Sequence, residues 1–551
     1  SFIKTAFFGS IISSTFIYLI AYVSDQYLPR SIPLIYLLIL LISTCGVRFQ
    51  LSFLYHFYMD KKSTRTAIIN ANKKGIKMAN FLHQDSENKV VAFFDDKSSI
   101  TNTNIASIPV FKLNQLENII SKRKIDLILL ADHDINDKLN QVLINCIQKF
   151  NLDVKKIPDI NEFKNYQSSK NLENISIEDI LGRKPVKSNP ELLDKNLKNK
   201  VVIVTGAGGS IGRELCFHIL KRNPKILILF EISEFNLFRI DNDIKNLKVD
   251  VKTIPILGSI QNEKILEFIF SKFKVNTIYH AAAYKHVPLI EMNILEGIKN
   301  NVLGTSKLVE KSIQYNVKNF ILISSDKAVR PTNYMGATKR VAEILCLSRN
   351  SNKNNTTFSI VRFGNVVGSS GSVIPLFKSQ INNGGPVTVT HPKIERYFMT
   401  IQEAAELVIQ AGSLTKKSGE IFILDMGKSI KILDLAKQMI KMNGLIPKIQ
   451  YKKNNINENN EISIKFIGLR PGEKMREELV YKTQIKKTEH PRIFKTKDNF
   501  KPNYSYNNNL SKLLMACKKD DVKETIILLK LINKDFKNLS SKEDIITKFS
   551  E

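Results

Sequence analysis

The chain has 551 residues, with 82 Lys and Arg against 52 Asp and Glu and a formal net charge of +30 at pH 7. This length excludes a peptide or disulfide-stapled miniprotein and allows three to four domains of roughly 150 residues, while the charge suits nucleic acid, an anionic membrane face or a phosphorylated substrate equally. Cys45, Cys146, Cys216, Cys346 and Cys517 lie far apart, with no CxxC pair and no His at ligand spacing, which argues against a disulfide framework or a zinc site and reads as buried thiols in a reducing compartment, with no metal expected.

Nearly all the unbroken apolar sequence falls within residues 1–60. One run extends from Thr5 to Val23 and another from Ile32 to Val47, continued by an aromatic-rich stretch past Arg48. Since a membrane span needs about 20 apolar residues, these runs predict a transmembrane helical hairpin. Lys4 precedes the first run and Arg48, Lys61, Lys62 and Arg65 follow the second, so the positive-inside rule puts both ends, and everything after residue 60, in the cytoplasm. A cleaved signal peptide would need a short apolar core and a small-residue cleavage site, and neither is present. The first residue is Ser, which suggests a fragment whose beginning lies elsewhere.

Residues 61–160 alternate strand-like TRTAIIN, KVVAFFD and DLILLAD with helix-like stretches, a βαβ rhythm that predicts a first Rossmann-like domain. Its first turn offers Gly75 alone where a dinucleotide fingerprint needs three glycines, so dinucleotide binding is expected to be absent there. Residues 161–198 read as a polar linker punctuated by Pro185 and Pro190, with a short helix at SIEDILGR. Residues 199–500 contain VVIVTGA, ILILFE, KTIPIL, TIYHAAA, NFILISS, FSIVRFGN and IFILDMG, spaced as strands of a doubly wound sheet. Residues 501–551 form a Lys-rich helical tail. The predicted class is α/β: two tandem Rossmann-like doubly wound domains behind an N-terminal transmembrane helical hairpin.

In VVIVTGAGGSIGREL, Gly206, Gly209 and Gly212 follow an apolar strand and open a helix, with Ser210 and Ile211 between them. Glycines there permit a tight turn and close approach of backbone to a pyrophosphate on the helix N-terminus. Glu231 ends the next strand, where a carboxylate binds the adenosine ribose and repels a 2′-phosphate, so NAD is favoured over NADP. A structural αβ turn is the plainer alternative, and no Gly-Lys-Ser/Thr follows to make a P-loop. Ser259 and Ile260 after the third strand could flank adenine, and the small Ala281, Ala282 and Ala283 after the fourth would let a cofactor lie against the backbone. These lie at carboxyl ends of successive strands, where open α/β sheets bind ligands.

The fifth strand leads into ISSDKAVRPTNYMGATKRVAE. With TGAGGSIG, HAAAYKHVP, NNVLGT, VRFGNVVGSSGSVIPLF and RPGEKMREEL in that order, the chain resembles the membrane-bound polysaccharide-biosynthesis nucleotide-sugar dehydratases, long-form UDP-N-acetylglucosamine 4,6-dehydratases of the extended short-chain dehydrogenase superfamily. The resemblance covers nearly the whole chain. In that superfamily a YxxxK pair does the hydride chemistry. Lys339 is present, but Met335 stands where the Tyr belongs, and Tyr334 is about 100° around the helix from the required face. Long forms of the family carry Met there, so the residue fits that branch. Members usually have four membrane helices against the two counted here, which supports a missing N-terminal part.

The resemblance implies that hydride leaves sugar C4 for NAD, the 4-ketone acidifies the C5 hydrogen, water leaves from C6, and hydride returns to C6. It assigns Asp326 as the acid at O6 and Lys327 as the base at C5, each needing a pKa shifted toward neutrality. Ser324 and Ser325 would hydrogen-bond O4, with Asp326 receiving that proton through Ser325 or a water, and Lys339 would hold the nicotinamide ribose. Asp-Lys is also a common exposed dipeptide. Asn365 matches a position that meets diphosphate or sugar, Lys285 is a further substrate contact, and Arg396 and Arg470 are candidate phosphate ligands that read equally as solvated arginines. Dispersed lysines without Trp argue against nucleic-acid binding.

The expected protein is thus a multi-pass enzyme of the bacterial inner membrane, its catalytic domain cytoplasmic. It would act on a UDP-N-acetylhexosamine for surface glycans, with the lipid bilayer and a second copy of itself as partners. A UDP-sugar 4-epimerase would want the Tyr and not need Asp326-Lys327, and a non-catalytic NAD-binding scaffold draws support from Met335 alone.

Overall fold

The computed structural model describes residues 2–24, 64–83, 88–96, 100–131, 152–157, 173–174, 188–349, 355–450, 460–480, 485–498 and 504–537, with scattered positions in 29–50 and 142–150. The chain divides into two compact units, residues 1–135 with 145–175 and residues 136–144 with 176–551. The short helix expected at SIEDILGR lies outside the described residues.

Phe2–Val23 forms a helix of 22 residues. Among the described residues, however, no helix is long and apolar enough to cross a membrane. Lys4, Ser10, Ser13, Ser14 and Thr15 interrupt the apolar side chains of that helix, and Thr15 turns its hydroxyl back on the Ile11 carbonyl at 2.7 Å. The second apolar run lies partly outside the described residues. The expected transmembrane hairpin is therefore corrected, and with it the multi-pass inner-membrane placement.

In the first unit, the strands Thr64–Ile69, Asn88–Phe94 and Leu127–Leu130 each end in four consecutive buried residues, covered on both faces as interior parallel strands require. They sit in a seven-stranded sheet ordered 104–105, 108–111, 88–94, 64–69, 127–130, 153–156, 173–174. At the first strand's end, Asp95 Oδ2 accepts from Ala71 N at 2.9 Å. A Cβ on Gly75 would lie 2.5 Å from the Asn70 carbonyl oxygen, so this glycine serves close helix-strand packing.

The second unit places the seven predicted strands in one nine-stranded sheet. They are β1 (Val201–Thr205), β2 (Ile226–Glu231), β3 (Lys252–Leu257), β4 (Thr277–His280), β5 (Asn319–Ile323), β6 (Thr357–Arg362) and β7 (Glu420–Leu424), followed by β8 (Lys486–Lys487) and β9 (Ile493–Thr496). Their order is β3-β2-β1-β4-β5-β6-β7-β9-β8, parallel through β7 and antiparallel beyond. The order reverses between β1 and β4, which opens the ligand crevice of doubly wound sheets.

Side chains alternate across the sheet. Val202 and Val204 join the cluster beneath α1 (Ser210–Leu220) and α3 (Ile401–Leu414), and Val201 and Ile203 join the cluster on the other face. α2 (Tyr334–Ser348) follows β5. Within residues 501–551, expected as a helical tail, lie α4 (Tyr504–Lys518) and α5 (Val522–Ile532), whose apolar faces share a core with α2.

Candidate active site

The β1-α1 turn is built by close backbone contact. Gly206 has φ 66°, and a Cβ there would lie 2.8 Å from Ala282 N, so only glycine lets the turn pass the Ala281-Ala282 backbone. A Cβ on Gly212 would lie 2.0 Å from the Gly206 carbonyl oxygen. Gly209 is the N-cap of α1 and offers no side-chain cap, so the first N–H groups of that helix face the crevice unpaired by a cap. Ser210 Oγ accepts from Ser370 N at 3.2 Å, and Ile211 packs on the core below.

Glu231 braces this turn. Its Oε2 accepts from Gly208 N at 2.9 Å, and its Oε1 accepts from Ile232 N and Ser233 N at 3.0 Å. Ile260 is buried against Gly304, and Ser259 Oγ accepts from Gln261 N at 3.1 Å. His280 ties β1 and β4 together between Thr205 Oγ1 at 2.7 Å and Thr305 Oγ1 at 2.8 Å. Thr305 already donates to the Asn301 carbonyl, so it accepts from His280 Nε2–H and Thr205 donates to Nδ1. Burial, then the charge of Lys339, lowers the His280 pKa to about 3 and keeps the ring neutral. An uncapped helix, a glycine turn and small residues opposite it together fit a dinucleotide.

The reaction end lies after β5. Asp326 is buried, and its Oδ1 accepts from Ser325 Oγ at 2.8 Å and from Lys327 Nζ at 3.0 Å. Asp326 Oδ2 is buried with no hydrogen-bond partner. Lys327 Nζ also donates to Asn365 Oδ1 at 3.3 Å. Burial works against its charge, but Asp326 and Glu477 prevail and hold the Lys327 pKa above the ordinary lysine value. The resting residue is therefore an ammonium, unlike the near-neutral base expected from sequence.

Ser324 turns away from this pair and donates to Glu343 Oε1 at 2.7 Å. Glu343 in turn holds Arg362 at 2.7 Å, and Arg340 bridges Glu343 and Asp498. Lys339 Nζ donates to the Ile323 carbonyl at 2.7 Å; burial lowers its pKa to about 8 against the opposing pull of Glu343. Met335 and Tyr334 are buried in the core shared with α4 and α5, and Tyr334 meets Phe536 edge-on, with ring centroids 5.4 Å apart. The Tyr334 ring is thus committed to packing.

Lys285 is exposed at the mouth. Desolvation and then the Lys327 charge lower its pKa. Arg396 is buried and engaged, donating to the Glu395 and Met475 carbonyls at 2.7 and 3.3 Å and to Glu473 at 3.1 Å. Arg470 is exposed; its backbone N–H donates to Glu473 Oε2 at 3.1 Å and its carbonyl accepts from Glu473 N at 2.9 Å.

Sequence reasoning missed Glu477. It is 5 % exposed, its Oε2 is buried without a partner, and it faces Lys327, Asp326, Arg396 and Lys474. RPGEKMREEL was the available signal, but nothing in that string indicates which of its five charged side chains after the glycine turns inward. Thr332 Oγ1 and Asn333 Nδ2 bond the Gly472 carbonyl at 2.7 and 3.1 Å, Lys474 bonds the Val329 carbonyl at 2.8 Å, and Arg330 pairs with Glu478. These contacts strap the segment across the 326–333 loop.

Residues 202–498 match a family model described as polysaccharide biosynthesis protein. The chain is 42% identical over 401 residues to the capsular polysaccharide biosynthesis protein CapD of Staphylococcus aureus, covering 72% of this chain and 64% of that protein, just under two thirds of its length. It is 40% identical over 430 residues to a probable polysaccharide biosynthesis protein EpsC of Bacillus subtilis (strain 168), covering 77% and 69%. It is also 33% identical over 303 residues to a UDP-glucose 4-epimerase of Rickettsia rickettsii (strain Sheila Smith), covering 54% and 82%.

Proposed function

The chain belongs to the polysaccharide biosynthesis protein family, and from that premise we propose that it is a nucleotide-sugar 4,6-dehydratase. With NAD bound, it converts UDP-N-acetylglucosamine to a UDP-4-keto-6-deoxy-N-acetylhexosamine for surface glycans. The observation that carries this reading is the Asp326-Lys327 pair, 3.0 Å apart at the end of β5 with Asp326 Oδ2 unpartnered. Elimination across C5–C6 needs an acid and a base side by side, and an orphaned buried oxygen suits a sugar hydroxyl.

NAD would lie on the β1-α1 turn, against Ala281 and Ala282, and would accept and return the hydride. Gly206, Gly209, Ser210, Ile211 and Gly212 bring backbone to its pyrophosphate, Glu231 holds that turn at the ribose end, Ser259 and Ile260 flank the base, and Lys339 supplies positive charge by the nicotinamide ribose. Ser325 relays the O4 proton to Asp326. Asp326 then protonates the departing O6 while Lys327 takes the C5 proton and later restores it. Lys285, Asn365 and Arg396 line the substrate end, and Arg470 stands at its rim.

An epimerase uses the same C4 step and finds support in the Rickettsia relative. Met335 cannot transfer a proton, and Tyr334 is packed against Phe536, so the residues favour elimination. Proton NMR of UDP-N-acetylglucosamine with the full chain and NAD in deuterated water separates the readings. Dehydration gives a new C6 methyl signal with deuterium at C5, and Lys327→Ala abolishes it. Appearance of the C4 epimer instead establishes the epimerase, and an unchanged sugar with NAD bound speaks for a scaffold.

A further inference from the structure

The crevice opens between the turns that follow β1 and β4, where the strand order reverses. One segment, residues 368–372 in the loop after β6, touches both of its lips. On one side Ser370 N donates at 3.2 Å to Oγ of Ser210, the first residue of α1. On the other, Gly371 rests on His286 in the turn after β4: a Cβ on Gly371 would strike the imidazole and meet both ring nitrogens at 3.1 Å. The segment thus bridges the crevice at the end where the α1 N-terminus opens.

Both ends of the bridge are anchored. Val367 N donates to the Met399 carbonyl at 2.9 Å, and Ile374 and Phe377 of the helix Val373–Asn382 are buried in a core cluster. Between the anchors, Gly368 and Gly371 have φ of 71° and 68°, left-handed values that glycine adopts without strain. Ser372 N donates to the Ser369 carbonyl at 3.0 Å, which keeps the turn between them folded. Gly368, Ser370 and Gly371 are exposed. A compact turn between two glycine pivots can lift without disturbing the sheet or either anchor.

We propose that residues 368–372 are a lid over the cofactor crevice: closed on Ser210 and His286 they retain the dinucleotide, and they lift at Gly368 and Gly371 to let it in or out. The inference rests on the NAD reading above. The proposed reaction draws hydride from C4 and returns it at C6 within one turnover, so the cofactor ends each cycle as it began and has no need to leave. A lid fastened to Ser210, at the pyrophosphate end, can therefore stay shut through many turnovers.

The test uses the full-length chain and radiolabelled NAD caught by rapid filtration, which gives the association rate and, on chase with unlabelled NAD, the release rate. A side chain at position 371 strains the closed lid with or without NAD beneath it. Gly371→Ala should therefore raise both rates by about ten-fold, the scale of one non-glycine residue held at positive φ, and leave Kd nearly unchanged. Ser210→Ala removes the acceptor of Ser370 N and should raise both rates by about five-fold, the scale of one hydrogen bond. Its association rate is the reading that counts, because a lost contact to NAD would speed release alone, and it decides the matter if Gly371→Ala fails to fold. Unchanged rates in the folded variants would overturn the inference, as would faster release with wild-type association.

The same rates separate the lid from the reading it rests on. Lid behaviour in a chain that leaves UDP-N-acetylglucosamine untouched removes the dehydratase reading alone. Dehydration with rates that neither substitution moves removes the lid alone. A wild type that binds no NAD removes both.

Discussion

Glu343 holds two buried guanidinium groups in place. Its side chain is fully buried, and it accepts from Arg362 Nε and NH2 at 2.7 Å, from Arg340 at 3.0 Å and from Ser324 at 2.7 Å. Burial works against its ionisation, but Arg362 outweighs it, so the folded pKa lies below the ordinary 4.5. The stabilisation is therefore fully present above about pH 4.5 and is lost as pH falls through the folded value. Glu343→Gln should cost about 3–5 kcal/mol at neutral pH, because it takes from the buried Arg362 its carboxylate partner at 2.7 Å and leaves Asp498 at 3.6 Å, and should also remove that share of the acid sensitivity; urea unfolding at several pH values reads both. Lys339 has the opposite sign. Its folded pKa is about 8 against 10.5, so the unfolded chain binds more protons between those values and stability rises with pH across that window. The Lys339 ammonium, which on the proposed reading would hold the nicotinamide ribose, is lost over the same range. Turnover should fall above about pH 8, and Lys339→Met should weaken NAD binding and remove that alkaline limb in a pH-rate profile.

The elements that sequence reveals are those with local causes. The turn carrying Gly206, Gly209 and Gly212 follows an unbroken apolar strand and opens an amphipathic helix, so strand, turn and helix were all legible within fifteen residues. The placement of β1 to β7 along the chain followed from the same rhythm, whereas their order in the sheet did not. What stayed hidden depends on partners far along the chain. Ser324 and Ser325 are adjacent in sequence, yet one faces Glu343 and the other Asp326. Glu477 is brought to Lys327 by contacts across about 150 residues. The N-terminal apolar run shows the converse, since hydrophobicity counted along a run overlooked the hydroxyls that interrupt it. α4 and α5 looked like a tail because their Lys content hides an apolar stripe: Leu513 and Leu529 have no exposed surface. Leu513→Ala or Leu529→Ala should each cost about 2–5 kcal/mol by denaturant unfolding, and either should loosen the Tyr334 packing enough to change near-ultraviolet circular dichroism.

Each of the two units of this molecule has its own core, so its unfolding is not expected to follow one two-state transition. Differential scanning calorimetry should show at least two transitions. Added NAD should raise only the one belonging to residues 136–144 with 176–551, since ligand binding stabilises the unit that binds it; movement of the other transition would place a dinucleotide in the first unit instead. The clasp at the end of the second unit has a consequence in time. Phe536 packs on Tyr334, and Lys537 N donates to the Pro331 carbonyl at 3.1 Å, so the loop following Asp326 and Lys327 is secured by residues translated about 200 positions later. At roughly 5–20 residues per second, a ribosome leaves that loop unclasped for some 10–40 s while the crevice of β1 to β4 is already complete. On the proposed function, a nascent chain would be competent to hold a cofactor well before it is competent to act on a sugar.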